Sequence, residues 1–552
     1  MSTPGHNLYG QHMEKHEVED LLQPSEDTLA PIIHWLESSG VPAQNITHRS
    51  HLIIFSVTVA QAENLLNTEF REYHYGNATV VRTLQYSVPF VLRDLVNSIQ
   101  PTTRFGRPRP QAAMMTEAST ESWTESQTAD LLGFSGSADS LASADSPKLP
   151  FGPKELLTKY NETFCNSTIT PACLRGIYNI GDFSANSKGK TLIGISGFDK
   201  EGAYLTDISD FLAVTADSGQ HINFTYQSIN SGVVPTNVMN ASGTYTYSME
   251  GNLDSQYAIS LARGTPVVYY STGGEAPFLP DLDVPLPSHN GTDEPYLNLL
   301  AVLTGLDNEH LPDVLITSYA EDEQSVPYDY ANLVCSSFSL LGARGVSVIF
   351  ASGDTGVGSA CLSNDGKNTQ KFTPNFPASC PWVTAVGGTY GVKPEIAAAF
   401  TSGGFSNYFP APSWQLNTMK DYLTKLGDKN KGYFNASGRG YPDVSAQAVQ
   451  YLVYNQRNPT FGAIISNINN LRRAQGATNL GFLNPWLYTQ GSKGFNDITL
   501  GHSRGCAGYD MFTGMRTPVI EGASWDAIPG WDPVTGWGTP DFAKLKKMMT
   551  NG

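Results

Sequence analysis

The first hundred residues alternate between helix-like and strand-like spacing of apolar side chains. Apolar positions recur every three or four residues over Leu29–Leu36 and Ala60–Asn67, which predicts two helices. Leu52–Val59 and Val80–Tyr86 have the apolar pattern of strands. The order helix, strand, helix, strand predicts a small α+β module within residues 1–105.

After about residue 155 the pattern changes to short apolar runs that are rich in β-branched side chains. Such runs are typical of strands buried on both faces in a parallel sheet; they are Thr191–Ile195, Pro266–Tyr270, Val314–Ser318, Val346–Ala351 and Val383–Val386. Helical spacing fills several of the intervals, for example Tyr328–Leu341. We therefore predict one α/β domain over residues 155–552, built on a doubly wound parallel sheet.

Residues 106–154 separate these two units. They are rich in Ser, Thr, Ala and Pro and show no lasting periodicity, which predicts an exposed linker that a protease can cleave. A small module, a cleavable linker and a large domain together indicate a zymogen.

Charge narrows the choice of partners. The 552 residues carry a net charge of −17, with a pI of about 5.0. Such a surface argues against nucleic acid and anionic membranes, and it suits an acidic medium because protonating the carboxylates reduces self-repulsion. No run of 18 apolar residues occurs, so no membrane-spanning helix is expected. We expect the protein to be a monomer.

Cysteines and glycosylation sequons favour a secreted protein. All six cysteines follow residue 160, and we expect the pairs Cys165–Cys173, Cys335–Cys380 and Cys361–Cys506, with six free thiols as the alternative. Eight Asn-X-Ser/Thr sequons begin at Asn45, Asn77, Asn161, Asn166, Asn223, Asn240, Asn290 and Asn435. The first residues have no apolar signal-peptide region, so we expect the N-terminus of the protein, and with it the pro-domain, to be incomplete in this sequence.

Two acidic residues one helical turn apart are candidates for acid–base chemistry. On a helix, Glu250 and Asp254 would share one face, and two close carboxyls cannot easily both ionise, so that one pKa should rise. A proton-sharing pair can act as a general base in acid, where a histidine would be protonated. A solvated helix face is the alternative.

A third acidic residue follows an apolar strand in Ser352-Gly-Asp354. Ligands bind where parallel strands end, and a protonated Asp354 there could donate a hydrogen bond to a developing oxyanion. An ordinary Asp-Thr-Gly turn is the alternative.

Two loops near the C-terminus combine carboxylates with backbone carbonyls. This donor set suits calcium, and the residues concerned are Asp497, Ile498, Ile528, Gly530 and Asp532. Two surface turns without a metal are the alternative.

Histidine is scarce in the large domain. It contains only His221, His289, His310 and His502, none of them beside a serine that resembles a nucleophile. A Ser-His-Asp triad is therefore disfavoured.

Together these motifs resemble the sedolisin family of serine-carboxyl peptidases, and most of all its secreted fungal tripeptidyl-peptidases. The matching residues are Glu250-x-x-x-Asp254-x-Gln256, Ser352-Gly-Asp354, Ser402-Gly-Gly-Phe-Ser406, Gly440-Tyr-Pro-Asp-Val-Ser-Ala-Gln447 and Gly530-Trp-Asp-Pro-Val-Thr-Gly-Trp-Gly538. The resemblance implies a subtilisin-like fold, a pro-domain, activation in acid and release of tripeptides from free peptide N-termini. It also implies Glu250 as the base to a serine, Asp254 as its orienting partner, Asp354 in the oxyanion hole and a calcium ion held by the C-terminal loops.

One element of the family pattern is absent. Sedolisins carry their nucleophile in a Gly-Thr-Ser-x-x-x-Pro turn before a buried helix, and this chain has no such turn before the helix that starts near Phe461. Asn458 suits the cap of that helix and Pro459 its first turn. Counting back from Pro459 places Asn455 where the serine belongs, whereas Ser466 lies two turns into the helix, about 11 Å from its start along the axis.

Two hypotheses follow, and a calcium-stabilised structural glycoprotein is a third alternative. Either the written sequence has lost a coding segment of a tripeptidyl-peptidase, or the protein is a non-catalytic relative that binds peptides or a partner peptidase. In both cases we predict that the chain as written has no serine-peptidase activity, because no acyl-enzyme can form.

Overall fold

The computed structural model describes most of the chain. The residues it describes are 1–49, 52–75, 78–96, 99, 102, 109–110, 114–117, 154–198, 201–215, 222–235, 249–274, 279, 281–283, 294–453 and 461–550. Of the predicted linker, only 109–110, 114–117 and residue 154 belong to this part, so its cleavage stays a prediction.

The N-terminal module combines three helices with two β-hairpins. Its elements are α1 (Lys15–Leu22), α2 (Glu26–Ser38), β1 (Ile46–Arg49), β2 (Leu52–Phe55), α3 (Val59–Leu66), β3 (Arg71–Tyr75) and β4 (Ala78–Arg82). A separate small core joins them, with Ile32, Leu36, Leu65 and Leu92 buried. Both predicted helices are confirmed.

The second element that the sequence predicted, a strand over Leu52–Val59, is shorter than expected. It ends at Phe55 because Thr58 caps the next helix: its hydroxyl accepts the Gln61 N–H at 3.3 Å, and the Gln61 side chain accepts the Thr58 N–H at 3.0 Å. This reciprocal cap fixes the start of α3.

The large domain begins with helices and then alternates strands and helices. Its helices are α4 (Lys154–Thr158), α5 (Glu162–Cys165), α6 (Pro171–Ile177), α7 (Leu205–Thr215), α8 (Met249–Leu261), α9 (Tyr296–Gly305), α10 (Tyr328–Ala343), α11 (Leu416–Leu426), α12 (Phe461–Ala474), α13 (Asn484–Thr489) and α14 (Phe542–Thr550). Short 3₁₀ turns of the chain are Ala43–Asn45, Phe90–Leu92, Ser187–Gly189, Asn308–His310, Glu323–Ser325 and Gly491–Gly494.

The remaining strands start in the linker and run to the C-terminal part. They are β5 (Arg109–Pro110), β6 (Met114–Glu117), β7 (Ile193–Gly197), β8 (Phe224–Ile229), β9 (Val267–Thr272), β10 (Val314–Thr317), β11 (Tyr319–Asp322), β12 (Ser347–Ala351), β13 (Asn375–Phe376), β14 (Thr384–Tyr390), β15 (Ile396–Ala397), β16 (Gly404–Pro410), β17 (Gly438–Tyr441), β18 (Val444–Gln447), β19 (Val449–Val453), β20 (Phe495–Asn496), β21 (Ala507–Tyr509), β22 (Arg516–Val519) and β23 (Thr539–Pro540).

A parallel sheet forms the centre of this domain. Its strands lie in the order β8-β9-β7-β10-β12-β14-β18, all parallel, and the short antiparallel β15 also pairs with β14. Counted along the chain, this is the order 2-3-1-4-5-6-7. The prediction of an α/β, subtilisin-like, doubly wound sheet is therefore confirmed.

Helices cover both faces of the sheet. Side chains of α8 and α12 pack with Ile193, Ile195 and Ile316 in one core. Side chains of α9 and α10 pack with Leu315 and Phe350 in the other. Neighbouring residues of one strand, such as Leu315 and Ile316, point to opposite faces, as the pleat requires.

Three disulfides fix the loops of the domain. They join Cys165 to Cys173, Cys335 to Cys380 and Cys361 to Cys506, and all three predicted pairs are confirmed. Among the described residues, no helix has the length and apolarity needed to cross a bilayer.

Candidate active site

A cleft opens at the carboxyl edge of the central sheet. Strands β10, β12, β14 and β18 end there, and the first residues of α12 form part of its wall. Gly462 allows this approach, since a Cβ at that position would lie 2.4 Å from the Ile316 side chain. The lining residues are 316–318, 349–354, 386–388, 400–401, 446–448 and 461–462. Parallel sheets bind their ligands at this edge.

Glu250 and Asp254 form a buried carboxyl pair behind the cleft. Both lie on α8, each only 1% exposed, and their side chains are hydrogen-bonded to each other. Burial raises the pKa of Asp254 well above its ordinary value, although hydrogen bonds from Ser318 and Glu250 oppose the shift. The alternative of a solvated helix face is wrong, because both carboxyl groups are buried.

Ser318 connects this pair to the cleft. Its hydroxyl donates to Asp254 Oδ1 at 3.1 Å, and the residue itself lines the cleft directly after β10. The sequence did not predict this role of Ser318, because the hydrogen bond joins residues 64 positions apart and no local pattern marks it.

A second residue whose contact with the pair the sequence did not predict is Glu201. Its carboxylate Oε2 accepts the backbone N–H groups of Glu250 at 3.1 Å and of Gly251 at 3.5 Å. A negative charge at the first turn of α8 is favourable for the helix dipole. The same charge contributes to the raised pKa of Asp254.

Asp354 lies on the cleft wall in a turn that a second motif holds in place. Gly353 has a φ of 115°, and the Ser402 N–H donates to its carbonyl at 2.8 Å. The Thr355 N–H donates in turn to Ser402 Oγ at 2.9 Å. The motifs Ser352-Gly-Asp354 and Ser402-Gly-Gly therefore form one structural unit that presents Asp354, partly exposed, to the cleft.

No serine takes the place of a nucleophile among the described residues at the start of α12. Ser466 is fully buried inside the helix bundle, and its hydroxyl finds no hydrogen-bond partner within the described part. It cannot reach a substrate in the cleft. Asn455, Asn458 and Pro459 lie outside the described residues, so the predictions made for them stay open.

The two C-terminal loops meet away from the cleft. The Gly530 N–H donates to Asp497 Oδ2 at 2.8 Å, and the Ile528 N–H donates to Asp532 Oδ2 at 2.9 Å. The Thr535 hydroxyl approaches the Ile498 carbonyl at 3.5 Å. The five residues predicted for calcium are thus brought together.

The donor set of these loops fits a hard cation. Asp532 is fully buried, and burial raises its pKa to about 7 although backbone N–H groups and one hydroxyl donate to it. Because no cluster of three acidic, histidine or cysteine side chains forms in the described part of the chain, carbonyl oxygens would have to complete the coordination of calcium. Asp532 is fully buried whereas Asp497 is exposed, and the choice between a calcium site and two turns without a metal stays a prediction.

Comparison with known proteins identifies the relatives of this chain. Residues 1–105 match the family model described as Pro-kumamolisin, activation domain. A probable tripeptidyl-peptidase SED2 of Arthroderma benhamiae is 41% identical over 562 aligned residues, covering 100% of this chain and 88% of the relative. Tripeptidyl-peptidase SED2 of Arthroderma otae is 42% identical over the same coverage.

Among solved structures, this chain is similar to Pseudomonas sedolisin, a serine-carboxyl proteinase complexed with two molecules of pseudo-iodotyrostatin. The identity is 22% and the TM-score 0.44, over 72% of this chain and 99% of that one. On the evidence of its full-length relatives, the chain belongs to the sedolisin family of serine-carboxyl peptidases, among the fungal tripeptidyl-peptidases.

Proposed function

We propose that this chain has the scaffold of a secreted acid peptidase that releases tripeptides from free peptide N-termini. Glu250 would accept the proton of a serine, Asp254 would orient Glu250, and Asp354 would stabilise the oxyanion. The observation that supports this is the buried pair of carboxyl groups, joined through Ser318 to a cleft that Asp354 lines.

The chain as written lacks the group that these residues serve. Residues 454–460, which join β19 to α12, contain the hydroxyls of Tyr454 and Thr460 and no serine. We expect tripeptide release to be orders of magnitude below that of an intact relative, as when a catalytic serine is removed.

Sequencing the full-length transcript across codons 454–459 decides between the two hypotheses. A Gly-Thr-Ser segment found there would make this a tripeptidyl-peptidase with a defective written sequence. The sequence as written would make it a catalytically silent member of the family.

A turnover assay tests the site itself. The purified chain, Asn455→Ser and a variant with an inserted Gly-Thr-Ser turn would be incubated at pH 4 to 5 with a peptide reporter that has a free N-terminus. We expect activity in the insertion variant only, and its loss when Glu250→Gln is added. Normal release by the unaltered chain would overturn the assignment, and Thr460→Ala would then test the remaining small hydroxyl.

Peptide binding without cleavage is the second candidate function. The cleft and its acidic residues persist although no serine precedes α12, which favours a binder over a structural glycoprotein. Calorimetric titration with a free peptide at pH 4 to 5 should show saturable binding that N-terminal acetylation weakens. Absence of any binding would exclude this role.

Calcium and secretion complete the proposal. Asp497 and Asp532, with carbonyls of Ile498, Ile528 and Gly530, would hold the ion and stabilise the C-terminal loops. The disulfides and sequons support an oxidising, glycosylating route of export. A mobility shift of the secreted protein after deglycosylation would test the last point.

A further inference from the structure

The N-terminal segment, residues 1–15, docks on the large domain at the edge of the sheet opposite the cleft. The Met13 N–H donates to the Ala343 carbonyl at 2.9 Å, and Asn308 Nδ2 donates to the Met13 carbonyl at 2.9 Å. Lys15 Nζ donates to the Gly305 carbonyl at 2.8 Å. Gly305 and Ala343 end α9 and α10, shortly before β10 and β12 begin, so the contact lies at the amino ends of these strands.

The His12 side chain fills a notch between two glycines of the large domain. A Cβ on Gly345 would lie 2.9 Å from His12 Cδ2, and a Cβ on Gly481 would lie 2.6 Å from His12 Cε1. Both glycines have positive φ, 90° and 65°. The notch therefore depends on residues without side chains, and it fits a flat ring.

The hydrogen bonding in the notch fits a neutral imidazole. His12 Nε2 lies 2.9 Å from the Asn479 carbonyl, which can only accept, so Nε2 carries the proton. Nδ1 is buried and has no hydrogen-bond partner among the described residues. Protonating Nδ1 would therefore place a charge and a second donor where no acceptor is available.

Charges around the notch oppose protonation as well. Burial is the largest cause that lowers the pKa of His12, and the positive charge of Arg472 adds to it, while the hydrogen bond to the Asn479 carbonyl acts in the other direction. On the Asn479 side, the carboxylate of Asp313 pairs with Arg473 at 2.7 Å and also accepts a hydrogen bond from the Asn479 amide. Arg344, beside Gly345, donates to Asn308 and Thr304.

We propose that His12 is an acid-released latch that holds the N-terminal segment on the large domain at neutral pH and frees it in acid. The free segment takes up a proton near pH 6.5, the docked segment only at lower pH. Docking is thus strongest above about pH 6.5 and weakens, by up to tenfold per pH unit, as the pH falls toward the lowered pKa of docked His12. The latch does not depend on the active site, and it assigns to one side chain the first step by which acid loosens the pro-region.

Hydrogen exchange of the full chain tests the latch. Exchange of the Met13 amide and of residues 343–347 and 478–481 would be measured by mass spectrometry from pH 7.5 to 4.5, corrected for intrinsic rates, with intact mass checked at each pH. We expect protection in the wild type to fall, by up to tenfold per pH unit, once the pH drops below about 6.5. His12→Gln, which keeps a donor for Asn479 but cannot be protonated, should retain protection throughout.

His16→Gln is the matched control, since His16 is exposed on α1 of the same region, and it should behave as the wild type. Equal loss of protection in His12→Gln and wild type, or no loss in the wild type, would overturn the proposal. If His12→Gln fails to dock even at pH 7.5, Arg472→Gln decides: removing this cation should move release to lower pH, and an unchanged release pH refutes the latch.

Discussion

The buried pair Glu294–Glu321 makes the stability of the fold depend on acid, and this dependence can be measured. Glu321 lies in β11 three residues after Ser318, Glu294 lies just before α9, and the two side chains are hydrogen-bonded with 9% and 0% of their surfaces exposed. Burial raises the pKa of Glu321 from 4.5 to about 7, although the bonds to the Glu294 side chain and backbone oppose it.

The sign and the size of this pH effect on stability follow from the two pKa values of Glu321, 4.5 for the unfolded chain and about 7 for the folded one. A carboxyl whose pKa is higher in the folded state binds its proton more tightly there, so its contribution to folding is fully present below about pH 4.5 and is lost as the pH rises toward 7. The rise of the pKa from 4.5 to about 7 corresponds to about 3 kcal/mol of unfolding free energy. The substitution Glu321→Gln should remove this loss, because a neutral amide can still donate to Glu294.

Urea unfolding followed by tryptophan fluorescence at pH 4.5 and pH 7 checks the prediction. Relative to wild type, Glu321→Gln should gain about 3 kcal/mol of unfolding free energy between the two pH values. The control is Glu309→Gln, whose side chain is 80% exposed and which should differ from wild type by less than about 0.5 kcal/mol at either pH. If the unfolding free energies of Glu321→Gln and wild type differ by the same amount, within about 1 kcal/mol, at pH 4.5 and at pH 7, the reasoning is refuted.

Three further predictions concern the large domain. Chelation of calcium should lower the unfolding temperature of the wild type but not that of Asp532→Asn, as measured by differential scanning fluorimetry; a wild type indifferent to chelator would contradict the calcium site. Arg439→Ala leaves Asp443 as a buried charge without its ion-pair partner and should cost about 3–5 kcal/mol in urea unfolding; a loss below about 1 kcal/mol would count against it. Replacing Cys361 and Cys506 by serine opens a link across 145 positions and should cost about 3–5 kcal/mol, checked in the same assay; an unchanged midpoint would show that the bridge does not constrain the unfolded chain.

Sequence pattern predicted the strands that the sheet buries on both faces, and it missed those that the sheet buries unevenly. β10 and β12 are continuous runs of buried apolar residues. β8 lies at the edge of the sheet and exposes part of its side chains, and β18, Val-Ser-Ala-Gln, is as polar as a loop although all four residues are buried. The polarity of β18 is tolerated because its serine and glutamine side chains find partners, for example the Ser445 hydroxyl donating to the Thr535 carbonyl at 2.9 Å.

In the candidate site, too, sequence pattern predicted only the residues that one element carries. The sequence predicted that Glu250 and Asp254 lie together, because one helix carries both residues. Ser318 and Glu201 reach the pair from other elements, and their roles depend on how α8 packs against β10 and the loop before α7. No single-sequence pattern contains that packing, so the residues that tune the pair could only be found in the folded chain.

Burying the Glu250–Asp254 pair costs folding stability, and this cost helps to decide between a peptide binder and a catalytic scaffold. A fold that buries two hydrogen-bonded carboxyls beside the charge of Glu201 is less stable as the pH rises than one with apolar residues in their place. A peptide binder gains nothing from burying these carboxyls, because in the part of the chain that the structure describes the pair does not line the cleft and reaches it through Ser318. A general base for acid catalysis, in contrast, needs a buried carboxyl pair that keeps one proton. The buried pair therefore supports the catalytic scaffold that we propose, and under that proposal the lack of a serine in residues 454–460, rather than the acidic site, is the feature of this sequence that requires explanation.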